Sequence, residues 1–168
     1  CNRIAKGSSF DKLSFVEGTI ENFDASKANV LIALHACDTA TDYAIAKGIA
    51  AQSDLIVVAP CCHKQIRREM EQAKNSELDF LLRHGTFMER QAEMVTDGLR
   101  ALILEHFGYN VKVFEFISDA HTPKNVMIVA QKTKGKKESI LEKIASIKKS
   151  FGIRKHYLEV VTGIASDK

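Results

Sequence analysis

Two short apolar runs in this sequence each end in a small cluster of His, Cys and Asp side chains. Residues 29–35 read NVLIALH and lead into Ala-Cys-Asp, and residues 54–59 read DLIVVA and lead into Pro-Cys-Cys-His. An unbroken apolar run of this length is typical of a strand that is buried on both faces of a parallel sheet. Because ligands bind beyond the carboxyl ends of such strands, the two clusters predict one shared site.

Length, charge and cysteine usage limit the class of protein. The 168 residues suffice for one domain with a real core, and the formal charge of +3 is too small to indicate nucleic-acid binding by itself. No apolar run approaches the roughly 18 residues that span a membrane, so we expect no membrane partner. The spacing of the four cysteines is not that of a disulfide framework, and we therefore expect a cytoplasmic protein.

The hydrophobic pattern predicts alternating strands and helices. We expect a helix end at 2–9, strands at 13–17, 29–35, 54–59, 111–117 and 125–131, and helices at about 39–51, 64–74 and 86–106. Asp38 or Thr39 is a candidate N-cap for the first of these long helices, Ser76 for a short helix after 64–74, and Gly108 follows the last.

The last two strands are joined by only seven residues, 118–124. A parallel connection needs about a dozen residues or more, so this pair should form an antiparallel hairpin. Parallel strand–helix units that end in such a hairpin are the usual layout of the class I S-adenosylmethionine (SAM) methyltransferases.

Residues 13–131 resemble the second half of that fold. The motifs HACDTATD (residues 35–42) and APCCH (residues 59–63) resemble those of a methyltransferase-like family in bacteria and eukaryotes, and more distantly a tRNA ribose methyltransferase family with a Cys-Cys-His element. The resemblance implies an α/β, Rossmann-like sheet, mostly parallel with a C-terminal antiparallel hairpin. We expect this domain at 1–133, followed by a basic amphipathic helical tail at 134–168.

The resemblance has a gap at the front of the chain. The family's first strand ends in a glycine-rich loop and its second in an acidic residue, yet no two glycines here are two residues apart. We therefore expect the first two strands of the fold to be missing and SAM binding by this chain alone to be weak. Either 13–17 pairs beside the open edge of 29–35, or another chain covers that edge by self-association.

The resemblance assigns roles to the residues after the third and fourth strands of that fold. It implies that the cofactor SAM contacts Gly18, Thr19, Ile20, His35 and Ala36. His35 and Asp38 are the candidate catalytic residues, as a base near neutral pH and as a group that orients or deprotonates the nucleophile. The alternatives are that Gly18 belongs to an ordinary turn, that Asp38 only caps a helix and that His35 is a core histidine.

The cysteine cluster admits several interpretations. We expect the substrate to contact Cys37, Pro60, Cys61, Cys62 and His63. A metal site with His35 and a covalent thiolate nucleophile are the alternatives, and the spacing matches no standard zinc knuckle, so we expect no metal. Cys61 and Cys62 should not form a disulfide, and Cys37 should lie near Cys61 because their strands are neighbours.

The expected reaction is attack by a substrate N or O on the methyl group of SAM. RNA is the substrate class that the resemblance favours, with Lys64, Arg67, Arg68 and the basic tail as candidate phosphate contacts, although a solvated helix face explains such charges more often. Two alternatives remain open: a non-catalytic binding module with this fold and a zinc-binding regulatory domain.

Overall fold

The computed structural model describes residues 1–73, 78–118, 120–133 and 135–164. Within these ranges the chain forms, in order, α1 (Asn2–Gly7), β1 (Val30–Leu34), α2 (Thr39–Ala50), β2 (Leu55–Ala59), α3 (Lys64–Gln72), α4 (Asp79–Leu82), α5 (Gly85–His106), β3 (Tyr109–Glu115), β4 (Val126–Lys132), α6 (Ser139–Phe151) and α7 (Tyr157–Thr162). The three long helices predicted from the sequence pattern are confirmed to within two residues. The predicted Ser76 cap lies outside the described residues.

The four strands of the described residues form one mixed sheet in the order β1-β2-β4-β3. β1 and β2 are parallel, with Val30 opposite Leu55. β4 runs antiparallel to both of its neighbours, β2 and β3. Three of the four strands therefore share one direction, and the predicted C-terminal hairpin is confirmed at the end of the sheet. This topology is compatible with part of a Rossmann-like fold.

The predicted strand at 13–17 is not formed. Residues 8–29 contain neither helix nor strand, and the backbone of Phe15 hydrogen-bonds the Asn2 side chain through both its N–H (2.6 Å) and its C=O (2.8 Å). The apolar side chains of Leu13, Phe15 and Val16 are exposed. Alternation alone does not make a strand here, because no neighbouring strand accepts the backbone groups. The edge of β1 therefore stays open among the described residues.

The core lies between one face of the sheet and the long helices. Ile56 and Val58 of β2 and Ile128 of β4 point into it, together with Leu99 and Ile103 of α5. β1 does not fit the expectation of a strand buried on both faces. Its side chains alternate: Leu31 and Ala33 pack against the core, whereas Val30, Ile32 and Leu34 are 50–62% exposed.

The two helices after residue 134 share this core. The buried cluster that holds the sheet residues also includes Ile144 of α6, Leu158 of α7 and Ile153 between the two helices. His156 caps α7, accepting the N–H of Leu158 through Nδ1 at 3.1 Å. Within the described residues, the segment after residue 134 therefore packs onto the core beside the sheet and forms no separate core. No helix of these residues is long and apolar enough to span a membrane.

Candidate functional site

A cavity of about 830 Å³ lies between β1 and the irregular segment at residues 16–28. Its volume falls within the range of small-molecule sites. All five residues predicted to contact the cofactor line it, namely Gly18, Thr19, Ile20, His35 and Ala36. β1 ends at Leu34, and the next two residues, His35 and Ala36, continue the lining of the cavity. The two segments, about 15 residues apart in the sequence, thus meet at one site.

The turn after β1 contains two non-glycine residues with left-handed backbone conformations. His35 and Asp38 both have positive φ values, 60° and 52°, a conformation that costs a non-glycine residue about 1–3 kcal/mol and clusters at functional sites. Local hydrogen bonds hold the turn: the Thr41 hydroxyl donates to the carbonyl of Ala36. The His35 side chain is exposed at the cavity, so it is available to a bound ligand.

The Asp38 carboxylate makes a contact that the sequence did not predict. It precedes α2 but its side chain makes no capping bond to that helix. Its Oδ1 instead accepts the backbone N–H of Gln65 at 3.2 Å, in the first turn of α3, where a carboxylate interacts favourably with the helix dipole. Asp38 is not among the residues that line the cavity. The carboxylate therefore joins the turn after β1 to the start of α3.

A buried cluster of charges ties both strand-end turns to α5; we call it the Arg100 network, formed by Arg100, Asp42, Asp97, His63 and the Asp38 carbonyl. Arg100 is fully buried and donates to Asp42 (2.8 Å), Asp97 (3.0 Å) and the Asp38 carbonyl (2.9 Å). Asp97 also contacts His63 Nε2 at 3.2 Å. One guanidinium thus fixes the turn after β1, and through Asp97 the turn after β2.

Burial and pairing oppose each other in this network. Burial acts to lower the pKa of Arg100, but Asp42 and Asp97 outweigh it and the pKa is raised. Burial raises the pKa of the Asp42 carboxyl against the attraction of Arg100. Within the network, the cost of burial is therefore seen at the Asp42 carboxyl.

Three cysteine sulfurs meet beside the cavity. Cys37 Sγ and Cys61 Sγ are 3.3 Å apart, as the neighbouring strands predicted, and Cys61 and Cys62 Sγ are 3.8 Å apart. All four cysteines of the chain are free. Burial, followed by the hydrogen bonds from Cys37 and Cys62, raises the pKa of Cys61 to about 12. A thiol with that pKa is protonated near neutral pH, which argues against Cys61 as a covalent nucleophile.

Two of the five predicted substrate contacts lie below the protein surface. Pro60 is buried, and His63 is 2% exposed with its Nε2 on Asp97, so neither side chain can reach a substrate from solvent. His63 Nδ1 has no hydrogen-bond partner among the described residues. Cys37 is exposed and Cys61 and Cys62 are half-buried. The thiols thus form the accessible part of this cluster.

Several basic side chains predicted to contact phosphates are already paired. Arg67 binds Glu71 at 3.0 Å and Glu89 at 2.8 Å. In the tail, Lys148 binds Glu159 and Arg154 binds Glu69. Lys64 and Arg68 on α3 are exposed. Within the described residues, ion pairs therefore already engage part of the predicted basic surface.

Sequence reasoning missed Arg100 and Asp97. The signal was present in α5: a charged pair at i and i+3 lies within an otherwise apolar helix face that includes Leu99, Ile103 and Leu104. Charged side chains are almost never fully buried unless they are paired. Two opposite charges on the core-facing side of α5 therefore predict a buried ion pair.

One protein-family model matches part of this chain. Residues 1–69 match a family model described as a methyltransferase domain. This segment contains every residue predicted for the site, from Gly18 to His63, and both strand-end turns. The methyltransferase-domain match therefore supports a methyltransferase-like function for this chain. No curated protein and no solved structure matches it.

Proposed function

We propose that this chain is a class I, SAM-dependent methyltransferase, or the part of one that holds the base of SAM and the acceptor. The supporting observation is that Gly18–Ile20 and His35–Ala36, chosen from sequence alone, line one cavity beside the carboxyl end of β1. The strand directions and the methyltransferase-domain match agree with this proposal.

The cavity offers groups that fit a nucleoside. A Cβ added to Gly18 would meet no atom within 4 Å, so the space beside its backbone is free for a flat base. Ile20 supplies an apolar contact at the same wall. SAM, when bound, supplies a methyl group on a positively charged sulfur. The role of the chain is alignment and exclusion of water, which carry most of the rate enhancement in such a step.

We assign the two predicted catalytic residues different roles. His35 is exposed in the cavity, where an imidazole can accept a proton from an acceptor N–H or O–H. Asp38 has its carboxylate on the N–H of Gln65; it is a positioning residue that fixes the turn carrying His35 and Cys37. The acceptor is a nitrogen or oxygen nucleophile.

For the substrate class we propose RNA, in the cytoplasm. Lys64 begins α3 directly after the Cys-Cys-His motif and Arg68 follows one turn later; both are exposed. Phosphate contacts from such residues position a nucleic acid without reading its sequence. A non-catalytic binding module is the alternative, and it differs from an enzyme in giving no product.

Calorimetric titration with SAM tests the proposal. Gly18→Val should weaken binding at least about tenfold, because the added side chain enters the ligand's space rather than the core. Gly7→Val is the matched control, since a Cβ at Gly7 also meets no atom within 4 Å and Gly7 lies outside the cavity. Equal affinities in both variants would contradict the proposed cofactor site. Transfer of a labelled methyl group to RNA then separates the enzyme from the binding module.

A further inference from the structure

The three thiols beside the cavity have the arrangement of a metal-binding triad. Cys37, Cys61 and Cys62 place their sulfur atoms within 4.8 Å of one another, with two of the separations at 3.3 and 3.8 Å. Zinc binds thiolate sulfur at about 2.3 Å, which puts the corners of a tetrahedron about 3.8 Å apart. The two separations of 3.3 and 3.8 Å lie at or below that value, and the third is at most 4.8 Å. One ion therefore fits among the three sulfurs once the cysteine side chains adjust around it.

The fold holds this triad in place without the ion. Cys37 follows β1 and Cys61 and Cys62 follow β2, and these strands are paired from Val30–Leu55 to Leu34–Ala59. The Arg100 network fixes the residues on both sides: Arg100 holds the carbonyl of Asp38, and Asp97 holds His63. Supporting hydrogen bonds of this kind orient ligands in metal sites.

The surroundings favour an ion with an open coordination position. Cys37 is exposed, so solvent reaches the triad. No His or carboxylate of the described residues joins the three sulfurs, which leaves the fourth position to water or another small ligand. Thiolate ligands select soft or borderline ions such as Zn²⁺ over Mg²⁺ and Ca²⁺.

We propose that Cys37, Cys61 and Cys62 bind one Zn²⁺ ion through three thiolates. Neither the family match nor the proposed methyl transfer requires this site, and the inference stands independently of them. Binding breaks three S–H bonds and forms three Zn–S bonds; the protons pass to the buffer, and no atom is oxidised or reduced. Because each thiol must lose its proton, affinity rises with pH.

Cobalt and thiol reactivity test the site on the reduced, chelator-treated protein. Added Co²⁺ should give the intense sulfur-to-cobalt charge-transfer band of a thiolate site, and Zn²⁺ should abolish it at one equivalent per chain. Cys61→Ser should lose the band. Cys1→Ser is the matched control, because Cys1 is the cysteine outside the triad, and should keep it. Should Cys61→Ser fail to fold by circular dichroism, Cys37→Ser replaces it, since Cys37 is exposed.

Alkylation gives a second readout that does not use cobalt. Without metal the two exposed cysteines, Cys1 and Cys37, should react; with Zn²⁺ Cys37 should be protected and Cys1 should remain reactive. A wild-type protein with no charge-transfer band would overturn the proposal. So would a band that survives in the triad variant, alkylation that Zn²⁺ does not change, or formation of a Cys37–Cys61 disulfide in preference to a metal complex.

Discussion

The sulfur atoms of Cys37 and Cys61 lie 3.3 Å apart although the two residues are 24 positions apart in the sequence. The parallel pairing of β1 with β2 brings them together, because both strands end at the same edge of the sheet. His35, which lines the cavity, follows β1 at this same edge. The site thus depends on how the two turns after these strands are held.

Replacing the buried arginine should show how much the turns depend on it. Arg100→Met leaves Asp42 and Asp97 without their cation, and we expect the free energy of unfolding to fall by about 3–5 kcal/mol. Arg67→Met is the control: its partners are exposed, so the loss should be at most about 1 kcal/mol. Urea unfolding measures both. Equal losses would show that the Arg100 network contributes no more than a surface pair.

A buried histidine should make stability depend on pH. Burial, then the charge of Arg100, lowers the pKa of His156 to about 3 from its ordinary 6.5, with Glu159 opposing. Below about pH 6.5 His156 is therefore protonated in the unfolded chain, whereas in the folded chain it stays neutral until about pH 3. The contribution of His156 to the free energy of unfolding is therefore fully present above about pH 6.5 and decreases as the pH falls, by up to about 1.4 kcal/mol per pH unit.

The variant His156→Asn isolates this contribution, because Asn also caps helices well and has no proton to bind in this range. Unfolding free energies at about pH 7 and about pH 5 should differ less in the variant than in the wild type. The same slope in both proteins would mean that other groups cause the pH dependence.

Two glycines should respond to alanine in opposite ways. Gly98 lies inside α5, is exposed, and a Cβ there meets no atom within 4 Å, so Gly98→Ala should stabilise the protein by about 1 kcal/mol. Gly108 has φ +87° and a Cβ would lie 2.6 Å from the Gly135 carbonyl oxygen, so Gly108→Ala should destabilise it. Thermal unfolding of both variants measures whether each change raises or lowers the stability. A lower Tm for Gly98→Ala than for the wild type would contradict the first prediction.

The open edge of β1 should promote self-association. β1 pairs only with β2 among the described residues, and Ile32 is 62% exposed. Ile32→Lys places a charge on this strand and should shift sedimentation toward the monomer. Met94→Lys is the control, because Met94 is 70% exposed on α5, away from the edge. If both variants sediment as the wild type does, the edge is not where copies of the chain meet.

The sequence predicted the parts of the fold that depend on local pattern and chain length. The short connection at 118–124 was enough to make the last two strands antiparallel, and apolar spacing was enough for α5. The strand at 13–17 failed because pairing depends on a neighbour that the local sequence does not specify. The contacts of Asp38 and His63 could not be predicted from local sequence, because their partners, Gln65 and Asp97, are 27 and 34 positions away.

NMR mapping of SAM on the isotope-labelled chain tests the central claim most directly. SAM added at millimolar concentration should shift the backbone amide signals of Gly18, Thr19, Ile20, His35 and Ala36, the five predicted residues that line the cavity. Signals from the α6 and α7 helices should stay unchanged, and Gly18→Val should abolish the shifts. Shifts confined to residues outside the cavity, or none at all, would contradict the assignment of this cavity as the cofactor site.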